Sequence, residues 1–362
     1  MRRMGRWPRI AAVVGAGALG YRLLSGLRQS DLTGEVALVT GSSRGFGYLL
    51  ARAFGRQGCR VVICARDAGE LERARAALSG EGIETLAIPC DVSDQAQVEA
   101  MVQQATAHFG RVDIVVNNAG IIQVGPLETL TTQDFENSLG VMYWGTVYLT
   151  LAVLPQMRRR RAGRIVNITS IGARISVPHL LPYNAAKFAA AGFSEGLRAE
   201  LADDGISVTT ILPGLMRTGS YVNALFSGQQ QYEAAWFSIA SSVPLMTMDA
   251  ERAADQVVRA TRRGEAERIL GLPFSVVVRL KGLAPGLTAD ILGLVDSYLL
   301  PKAGGAGPEL VRGETALERL DSPLVRFLTT LGRRAGQHYH EEPGPAIAPG
   351  ADEARQPSGE SP

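Results

Sequence analysis

The sequence has few of the side chains that bind metals or build disulfide frameworks. Its 362 residues include only three cysteines and four histidines. Cys59, Cys64 and Cys90 lie in or beside segments that we predict to be core strands, and their spacing is not typical of a metal site. They are interpreted as small buried apolar residues of a reducing compartment, and no metal ion is predicted.

An excess of charge of one sign is also missing. The 37 Lys and Arg residues nearly balance the 35 Asp and Glu residues, so the formal net charge is +2. This balance gives no basis for nucleic-acid binding. The basic run Arg158–Arg161 is interpreted as a solvated loop between a helix and a strand. With 46% hydrophobic and 20% charged residues, the chain has ample material for a globular core.

Strand and helix patterns alternate without a break from Glu35 to Gly271. This alternation predicts an α/β fold, a Rossmann-like doubly wound parallel sheet, in a single domain with N- and C-terminal extensions. Strands are expected near residues 35–40, 60–64, 85–88, 112–116, 164–168, 207–211 and 268–271. Helices are expected near residues 48–57, 94–109, 132–157, 182–202 and 249–263.

The predicted domain boundaries follow from changes in composition. Residues 1–31 form a basic and apolar extension, and residues 32–271 form the Rossmann-fold domain. Residues 272–300 are apolar and are expected to be helical on both sides of Pro285-Gly286. Residues 301–362 are interpreted as a linker and a largely disordered tail, with short helices near 315–320 and 323–331.

A glycine-rich turn follows the first predicted strand. It reads Thr40-Gly41-Ser42-Ser43-Arg44-Gly45-Phe46-Gly47 and leads into an apolar-periodic helix, with a second strand from Arg60 to Cys64. In this strand–turn–helix context, backbone N–H groups and a helix N-terminus receive a pyrophosphate. The glycines permit the tight turn and the close approach of the phosphates, so the turn predicts a dinucleotide site.

A proton-transfer group is indicated further along the chain. Tyr183 and Lys187 are four residues apart and therefore share one face of a predicted helix, and Ser170 lies thirteen residues before Tyr183. A tyrosine has an ordinary pKa of about 10, and a nearby lysine charge is expected to lower it toward the working range. The serine hydroxyl can hold a substrate oxygen against the phenol. The three residues are candidate catalytic groups for a carbonyl or alcohol substrate.

Taken together in their order and spacing, these motifs resemble the short-chain dehydrogenase/reductase family over about residues 32–271. The matching positions also include Asp91, the run Asn117–Gly120, Pro213-Gly214 and Thr218. The resemblance implies that Tyr183 is the general acid or base, that Lys187 tunes it and holds the nicotinamide ribose, and that Ser170 orients the substrate carbonyl. It implies a cofactor site composed of Thr40, Gly41, Ser43, Arg44, Gly45, Phe46, Gly47, Arg66, Asp91, Val92, Asn117, Ala119, Gly120, Tyr183, Lys187, Pro213, Gly214 and Thr218.

One position departs from the family pattern. Where the family usually has an asparagine, three residues before Gly145, this chain has Met142. That asparagine helps to hold a relay water, partly through its backbone carbonyl, so the resemblance leaves two alternatives. The chain is either an active oxidoreductase or a catalytically impaired NADP(H)-binding sensor. An epimerase or dehydratase is disfavoured by the glycine spacing, and a membrane-associated scaffold by the intact Ser170, Tyr183 and Lys187.

The residues after the second strand favour NADP(H) over NAD(H). An NAD site places a carboxylate at the strand end to accept from the ribose hydroxyl, but this chain has Ala65 there and Arg66 next to it. Arg44 in the glycine turn supplies a second guanidinium group for a 2′-phosphate. Asp67 would repel that phosphate if it turned inward, and we expect it instead to cap the next helix.

The segment from Ser220 to Met248 is expected to cover the substrate. It contains many apolar and aromatic side chains, which favours a lipophilic substrate such as a fatty acyl, sterol-like or retinoid-like carbonyl compound. The alternative is that these side chains only pack the lid onto the core. His179, between Ser170 and Tyr183, is either a substrate contact or a surface loop residue.

Two expectations concern assembly and location. The predicted helices 132–157 and 182–202 carry more apolar surface than one sheet face needs, and the resemblance implies that they pair in a homo-oligomer. Arg2, Arg3, Arg6 and Arg9 precede the apolar stretch 10–20, which is short of the about 20 residues that span a bilayer. Residues 1–30 are a weak membrane anchor, an interfacial helix or a helix packed on the domain, and a cytoplasmic location is expected.

Overall fold

A central parallel β-sheet organises the protein. The computed structural model describes residues 30–244 and 247–341, so the predictions for the N-terminal anchor, the last 21 residues and Leu245-Met246 of the lid fall outside the described residues. All adjacent strands are parallel, in the order β3-β2-β1-β4-β5-β6-β7. The strands are β1 (Val36–Thr40), β2 (Arg60–Ala65), β3 (Thr85–Pro89), β4 (Ile114–Asn117), β5 (Gly163–Ile168), β6 (Ile206–Pro213) and β7 (Glu267–Leu270).

Helices cover both faces of this sheet, because the strands are apolar on both sides. Alternate residues of β1 belong to two hydrophobic clusters, one on each face of the sheet. Ala37 and Val39 pack into the first cluster, and Val36 and Leu38 pack into the second. On the first side lie α1 (Gly45–Gly55), α2 (Ala68–Gly80) and, further along the chain, Ala250–Arg263. On the second side lie α3 (Gln95–Phe109), Gly145–Arg160 and Leu181–Glu200. The predicted doubly wound Rossmann-like fold is confirmed.

The helix predicted over residues 132–157 is divided into three parts. It consists of α4 (Thr132–Leu139), a π-helical turn at Gly140–Trp144, and α5 (Gly145–Arg160). Among the described residues, this stretch is the one helix long and apolar enough to cross a membrane. Leu149, Val153 and Met157 of α5 are nevertheless buried in the core cluster beneath the sheet, so the stretch serves as a core helix here.

The remaining helices follow in chain order. They are α6 (Leu181–Glu200), α7 (Gln230–Ala240), α8 (Ala250–Arg263), α9 (Leu272–Leu283), α10 (Pro285–Leu299), α11 (Gly313–Leu320), α12 (Pro323–Leu328) and α13 (Thr330–His338). Asp249 caps α8 by accepting from Arg252 N, and Gly264 ends it with a φ of 59°. Helices α9 and α10 meet at Ala284-Pro285, where the sequence predicted the break.

The C-terminal region corrects one sequence prediction. The short helices predicted near residues 315–320 and 323–331 correspond to α11 and α12, whereas Glu341, which the sequence placed in the disordered tail, is packed against the domain. Val311-Arg312 pairs with Leu225-Phe226, and that strand pairs with Gln123-Val124. Ala316 of α11 is fully buried against the lid. Glu341, assigned to the tail because acidic residues and prolines follow it, is only 5% exposed.

Candidate active site

The glycine-rich turn lies at the carboxyl end of β1, where α1 begins. Gly41 has a φ of 62°, and a Cβ there would lie 2.8 Å from the Cα of Ala119. A Cβ on Gly47 would collide with the carbonyl oxygen of Gly41. Only glycine therefore permits the turn to pack against the end of β4 while the first N–H groups of α1 face the cleft.

Thr40 joins the turn to the end of β4. Its hydroxyl accepts hydrogen bonds from Asn118 N at 2.9 Å and from Ala119 N at 3.0 Å. The Asn118 side chain donates in return to the carbonyl oxygens of Thr40 and Gly41. The sequence identified Asn118 as part of a motif without giving it a role. Its side chain satisfies the carbonyl groups that the turn removes from the sheet.

Asn117 belongs to a buried chain of polar side chains. Its amide donates to Asn167 Oδ1 at 2.8 Å, Asn167 donates to Ser194 Oγ at 2.8 Å, and Ser194 Oγ lies 2.7 Å from Thr210 Oγ1. The chain links β4, β5, α6 and β6. Asn117 thus supports the central strands beside the cleft, and its partners, on other elements, could not be read from local spacing.

The three candidate catalytic residues meet at the carboxyl end of β5. Ser170 follows β5 and accepts from Gly172 N at 3.0 Å, and Tyr183 and Lys187 lie one turn apart on α6. A Cβ on Gly172 would lie 3.3 Å from both Ser170 Oγ and Tyr183 Cε1. Lys187 Nζ is 5.7 Å from the centre of the Tyr183 ring. A substrate oxygen can reach the serine and tyrosine hydroxyls together.

The electrostatics of this group differ in part from the sequence expectation. Burial raises the pKa of Tyr183, and the hydrogen bond with Ser170 opposes that rise. Burial also lowers the pKa of Lys187 to about 8, while its ammonium group donates to Ile168 O at 2.9 Å. The expected lowering of the Tyr183 pKa by Lys187 is absent, because the ammonium group is directed at the strand carbonyl and is itself desolvated.

Met142 lies inside the π-helical turn and is 2% exposed. Its side chain packs on Gly120, where a Cβ would lie 3.5 Å from the methionine sulfur. Its carbonyl oxygen accepts from Thr146 Oγ1 at 2.9 Å. The methionine side chain therefore fills apolar space beside Gly120, and its backbone carbonyl remains a hydrogen-bond acceptor within the π-helical turn.

The expected 2′-phosphate region contains a carboxylate that the sequence reasoning missed. Arg44 Nη1 donates to Glu70 Oε1 at 2.8 Å, and Ser43 Oγ donates to Glu70 Oε2 at 3.1 Å. Glu70 is buried in the first turn of α2, whereas Arg66 is exposed. Asp67 accepts from Glu70 N at 2.7 Å, which confirms its predicted role as the N-cap of α2. An acidic residue in the first turn after β2 was the available signal.

The other predicted cofactor residues border the same edge of the sheet. Asp91 stabilises its own turn by accepting hydrogen bonds from Ser93. The Val92 side chain packs closely on Gly145, where an added Cβ would lie 3.0 Å from Val92 Cγ2. Pro213 ends β6, and Gly214 leaves room for the Phe274 ring of α9, with which any Cβ there would collide. Thr218 is buried, and its hydroxyl accepts from Ser220 N at 3.2 Å.

The lid contributes its own apolar cluster. Tyr221, Phe226 and Phe237 are buried together with Ala316 of α11, so these aromatic side chains pack the lid rather than line a pocket. The partly buried side chains packed against this cluster include Tyr183, Ile122, Val177 and Trp236. The alternative that the lid residues serve packing is therefore correct for Tyr221, Phe226 and Phe237.

His179 is a buried connection and not a surface loop residue. It is 6% exposed and has a φ of 64°. Its Nδ1 lies 2.9 Å from Glu233 Oε1 of α7, and its Nε2 lies 3.3 Å from Asp296 of α10. Trp236 Nε1 also donates to Glu233 at 2.7 Å. The cluster connects the loop before Tyr183 to the lid and to α10.

The donor set of this edge fits a nicotinamide dinucleotide. The α1 N-terminus after the glycine-rich turn suits a pyrophosphate, and Lys187 and Tyr183 supply the ammonium and hydroxyl groups that a nicotinamide ribose and a substrate oxygen would need. The C-terminal residues enter the same turn, since Gly45 N donates to Tyr339 O at 2.8 Å. Two cavities of about 460 and 940 Å³ lie elsewhere, and neither is lined by Ser170, Tyr183 or Lys187.

Sequence comparisons agree with this geometry. A family model described as short chain dehydrogenase matches residues 35–225. A dehydrogenase/reductase SDR family protein 7-like of Anopheles gambiae is 41% identical over 200 residues, 54% of this chain and 63% of that protein, so the match spans less than two thirds of that relative. Dehydrogenase/reductase SDR family member 7B of Bos taurus is 32% identical over 289 residues, 77% of this chain and 87% of that protein.

Solved structures give the same result. A short-chain dehydrogenase from Streptomyces avermitilis superposes with a TM-score of 0.61 at 31% identity, covering 73% of this chain and 97% of that one. L-Sorbose reductase from Gluconobacter frateurii, complexed with NADPH and L-sorbose, superposes with a TM-score of 0.60 at 26% identity, covering 67% and 97%. The chain therefore belongs to the short-chain dehydrogenase/reductase family of NAD(P)-dependent oxidoreductases.

Proposed function

We propose that the protein is an NADP(H)-dependent oxidoreductase that transfers hydride between the nicotinamide and a carbonyl or secondary alcohol of a lipophilic substrate. The observation that carries this proposal is the meeting of Ser170, Tyr183 and Lys187 beside the glycine-rich turn. These three side chains come from two separate elements, so their convergence is a product of the fold.

The proposed roles follow from the atoms that each residue presents. NADPH supplies the hydride when it is bound. The Ser170 and Tyr183 hydroxyls hold the substrate oxygen, and Tyr183 gives it the proton in reduction or removes it in oxidation. The high pKa of Tyr183 suits the acid role, because the phenol stays protonated at neutral pH. Lys187 holds the ribose hydroxyls and, when charged, favours the phenolate that forms.

The preference for NADP(H) is supported by charge near the end of β2. Ala65 offers no carboxylate to a ribose hydroxyl, and two guanidinium groups are available for a 2′-phosphate, Arg44 in the glycine-rich turn and the exposed Arg66 directly after β2. Glu70 is the opposing observation, because its carboxylate pairs with Arg44. We propose that Arg44 turns from Glu70 to the phosphate when NADP(H) binds. L-Sorbose reductase, a structural neighbour, has been solved with NADPH.

The lipophilic substrate is supported by the surroundings of Tyr183. Ile122, Val177 and Trp236 are partly buried in the cluster that contains this residue. They would contact the part of the substrate that adjoins the reacting carbonyl.

The first experiment measures NADPH oxidation against hydrophobic ketones, aldehydes and 3-ketoacyl thioesters. NADH serves as the comparison, and Tyr183→Phe as the matched variant that lacks one hydroxyl. We expect turnover that prefers NADPH and falls by at least a hundredfold in Tyr183→Phe, since general acid catalysis typically contributes about 10²–10⁴-fold. Equal turnover in both proteins would refute the role of Tyr183. Tight NADPH binding without turnover in the wild type or in Met142→Asn would favour the sensor alternative.

We also propose that the protein is a homo-oligomer. Trp144, Leu151 and Phe188 are large apolar side chains on the π-turn, α5 and α6, and each is more than one third exposed. Burying such a surface favours association. Light scattering coupled to size-exclusion chromatography tests this proposal. A monomer at micromolar concentration would contradict it.

Contact with a membrane surface is a further part of the proposal. Helices α9 and α10 expose a series of large apolar side chains, namely Val276, Val277, Leu280, Leu283, Leu287, Ile291, Leu294, Tyr298 and Leu299. A helical surface of this composition can lie in the interface of a bilayer. Sedimentation with phosphatidylcholine vesicles tests the contact. Leu283→Asp and Leu287→Asp should reduce it, and unchanged sedimentation would assign any binding to another part of the chain.

A further inference from the structure

The C-terminal residues Gly336–Glu341, here named the closing segment, lie in the glycine-rich turn. Gly45 N at the start of α1 donates to Tyr339 O at 2.8 Å. The Glu341 carboxyl group occupies the space beside Gly45 where a Cβ would lie. These are the amide and the side-chain-free surface that a pyrophosphate needs at a helix N-terminus.

The closing segment is held by specific contacts on several elements. Asn223 Nδ2 donates to Glu341 Oε2 at 2.8 Å and to its carbonyl oxygen at 3.2 Å, and Arg44 Nε lies 3.5 Å from Glu341 Oε2. The His340 ring meets the Tyr48 ring edge to face at 4.7 Å. Glu341 N donates to Gly336 O, and the Glu341 side chain is buried.

The opposite end of the closing segment lies near the nicotinamide side of the cleft. A Cβ on Gly336 would lie 3.5 Å from the Cα of Gly219, which directly follows Thr218. Helix α13 therefore extends from the lid to the glycine turn. A pyrophosphate bound at the N-terminus of α1 would need the Gly45 amide and the space beside it, which Tyr339 O and the Glu341 side chain fill here.

We propose that the closing segment is an autoinhibitory element that competes with the dinucleotide for the glycine-rich turn, with the Glu341 carboxyl group standing in for the pyrophosphate. This inference rests on the proposed dinucleotide-dependent function and adds regulation to it. Arg44 is shared by both states, because it faces Glu341 and Glu70 in the closed form and the 2′-phosphate in the proposed loaded form.

Competition lowers the apparent affinity for the dinucleotide by the fraction of molecules that are open. If about one molecule in ten is open, NADPH binds about tenfold more weakly than to a chain without the closing segment. Weakening the contacts of Glu341 should recover this factor. Glu341→Ala removes the carboxyl group, and Asn223→Ala removes its main donor from the lid side.

The ionisation of Glu341 gives the competition a pH dependence. Burial raises its pKa to about 7, with Arg44 and Asn223 opposing the rise and the Glu70 carboxylate adding to it. A free glutamate has a pKa of 4.5, so the docked group binds a proton more readily than the released one. Docking is therefore strongest below about pH 4.5 and weakens as the pH rises through about 7.

The test combines hydrogen–deuterium exchange with NADPH titration on the full-length protein. Peptides covering residues 330–341 report docking, and NADPH fluorescence reports the dissociation constant. We expect saturating NADPH to increase exchange in these peptides in the wild type. Glu341→Ala and Asn223→Ala should increase exchange without NADPH and tighten NADPH binding by about tenfold. Glu318→Ala, the same change at an exposed carboxylate of α11, should do neither.

Glu341→Gln separates charge from shape. Glutamine can still accept from Asn223 and cannot ionise, so NADPH should bind weakly to this variant throughout pH 5–8. As the pH rises, the NADPH affinity of the wild type should increase relative to that of Glu341→Gln. The NADPH phosphate ionises in the same way in both experiments, so its effect cancels in the ratio. A constant ratio between the two proteins would refute the role of the Glu341 charge.

The outcomes distinguish the competition from the proposed function. Unchanged or decreased exchange at residues 330–341 on NADPH saturation would show that the closing segment is compatible with the cofactor, and would overturn the inference while leaving the oxidoreductase function in place. If no variant binds NADPH or NADH, the proposed function fails and the competition fails with it. Exchange in Glu341→Ala would still report whether the segment docks.

Discussion

Replacing Thr40 by valine tests whether the cleft depends on one hydroxyl group. Thr40 is 3% exposed, and its hydroxyl is the acceptor for Asn118 N and Ala119 N. Valine keeps the shape of threonine but leaves both N–H groups without this acceptor. Each unsatisfied donor costs about 1–3 kcal/mol. Because Asn118 and Ala119 are only partly buried and water can compensate in part, we expect a total loss of about 2–4 kcal/mol.

Urea unfolding at neutral pH measures this loss, and Thr40→Ser is the matched control. Serine retains the acceptor and lacks one methyl group, so it should lose only about 1 kcal/mol. NADPH affinity should fall in Thr40→Val, since the turn and the end of β4 would no longer be joined at this point. A valine variant within about 0.5 kcal/mol of the wild type, or a serine variant as unstable as the valine one, would refute the reasoning.

Three further substitutions test the charges and the unusual residue of the site. Met142→Asn should raise kcat several-fold if the family asparagine adds to the relay, and should cost about 1 kcal/mol because an amide is buried; a lower kcat would mean that the methionine packing is needed. Glu70→Gln should strengthen NADPH binding severalfold by releasing Arg44, with NADH binding unchanged; an equal gain for NADH would exclude the phosphate as the cause. Lys187→Met should abolish turnover yet stabilise the protein at pH 7 by about 1–3 kcal/mol. Since the buried lysine has a pKa of about 8 and its ordinary value is 10.5, the unfolded state binds more protons between these values. The wild type should therefore gain stability from pH 8 to 10.5 while the variant does not, and parallel pH profiles would contradict this.

The sheet and the shared helix of Tyr183 and Lys187 could be predicted because their signals are local. The spacing of Tyr183 and Lys187 is a property of one helix, and the glycine turn is explained by contacts at Gly41 and Gly47 that only glycine permits. The N-cap of α2 at Asp67 is equally local. The residue types and their spacing along a few positions identify these features, although the glycine turn also packs against the distant Ala119.

Pairings between distant elements could not be predicted in the same way. The π-turn at Gly140–Trp144 leaves the helical periodicity on both sides intact, so the pattern predicted one continuous helix. His179 has an isolated position in the sequence, and its partners Glu233 and Asp296 lie on α7 and α10. Electrostatic predictions are affected most, because the Tyr183 pKa depends on where the Lys187 ammonium group points and on how deeply both groups are buried.

Glu341 shows how composition can hide a buried contact. A stretch rich in acidic residues and proline has little apolar surface to bury, so the sequence predicts disorder for it. A single glutamate in it can still be fixed when the fold offers a helix N-terminus, a guanidinium group and an amide at one point, as α1, Arg44 and Asn223 do here. Arg44 and Glu341 are almost 300 positions apart in the sequence, so no local periodicity predicts their contact. The turn that would receive a dinucleotide therefore also receives a carboxyl group of its own chain, and under the proposed competition the strength of one contact limits the other.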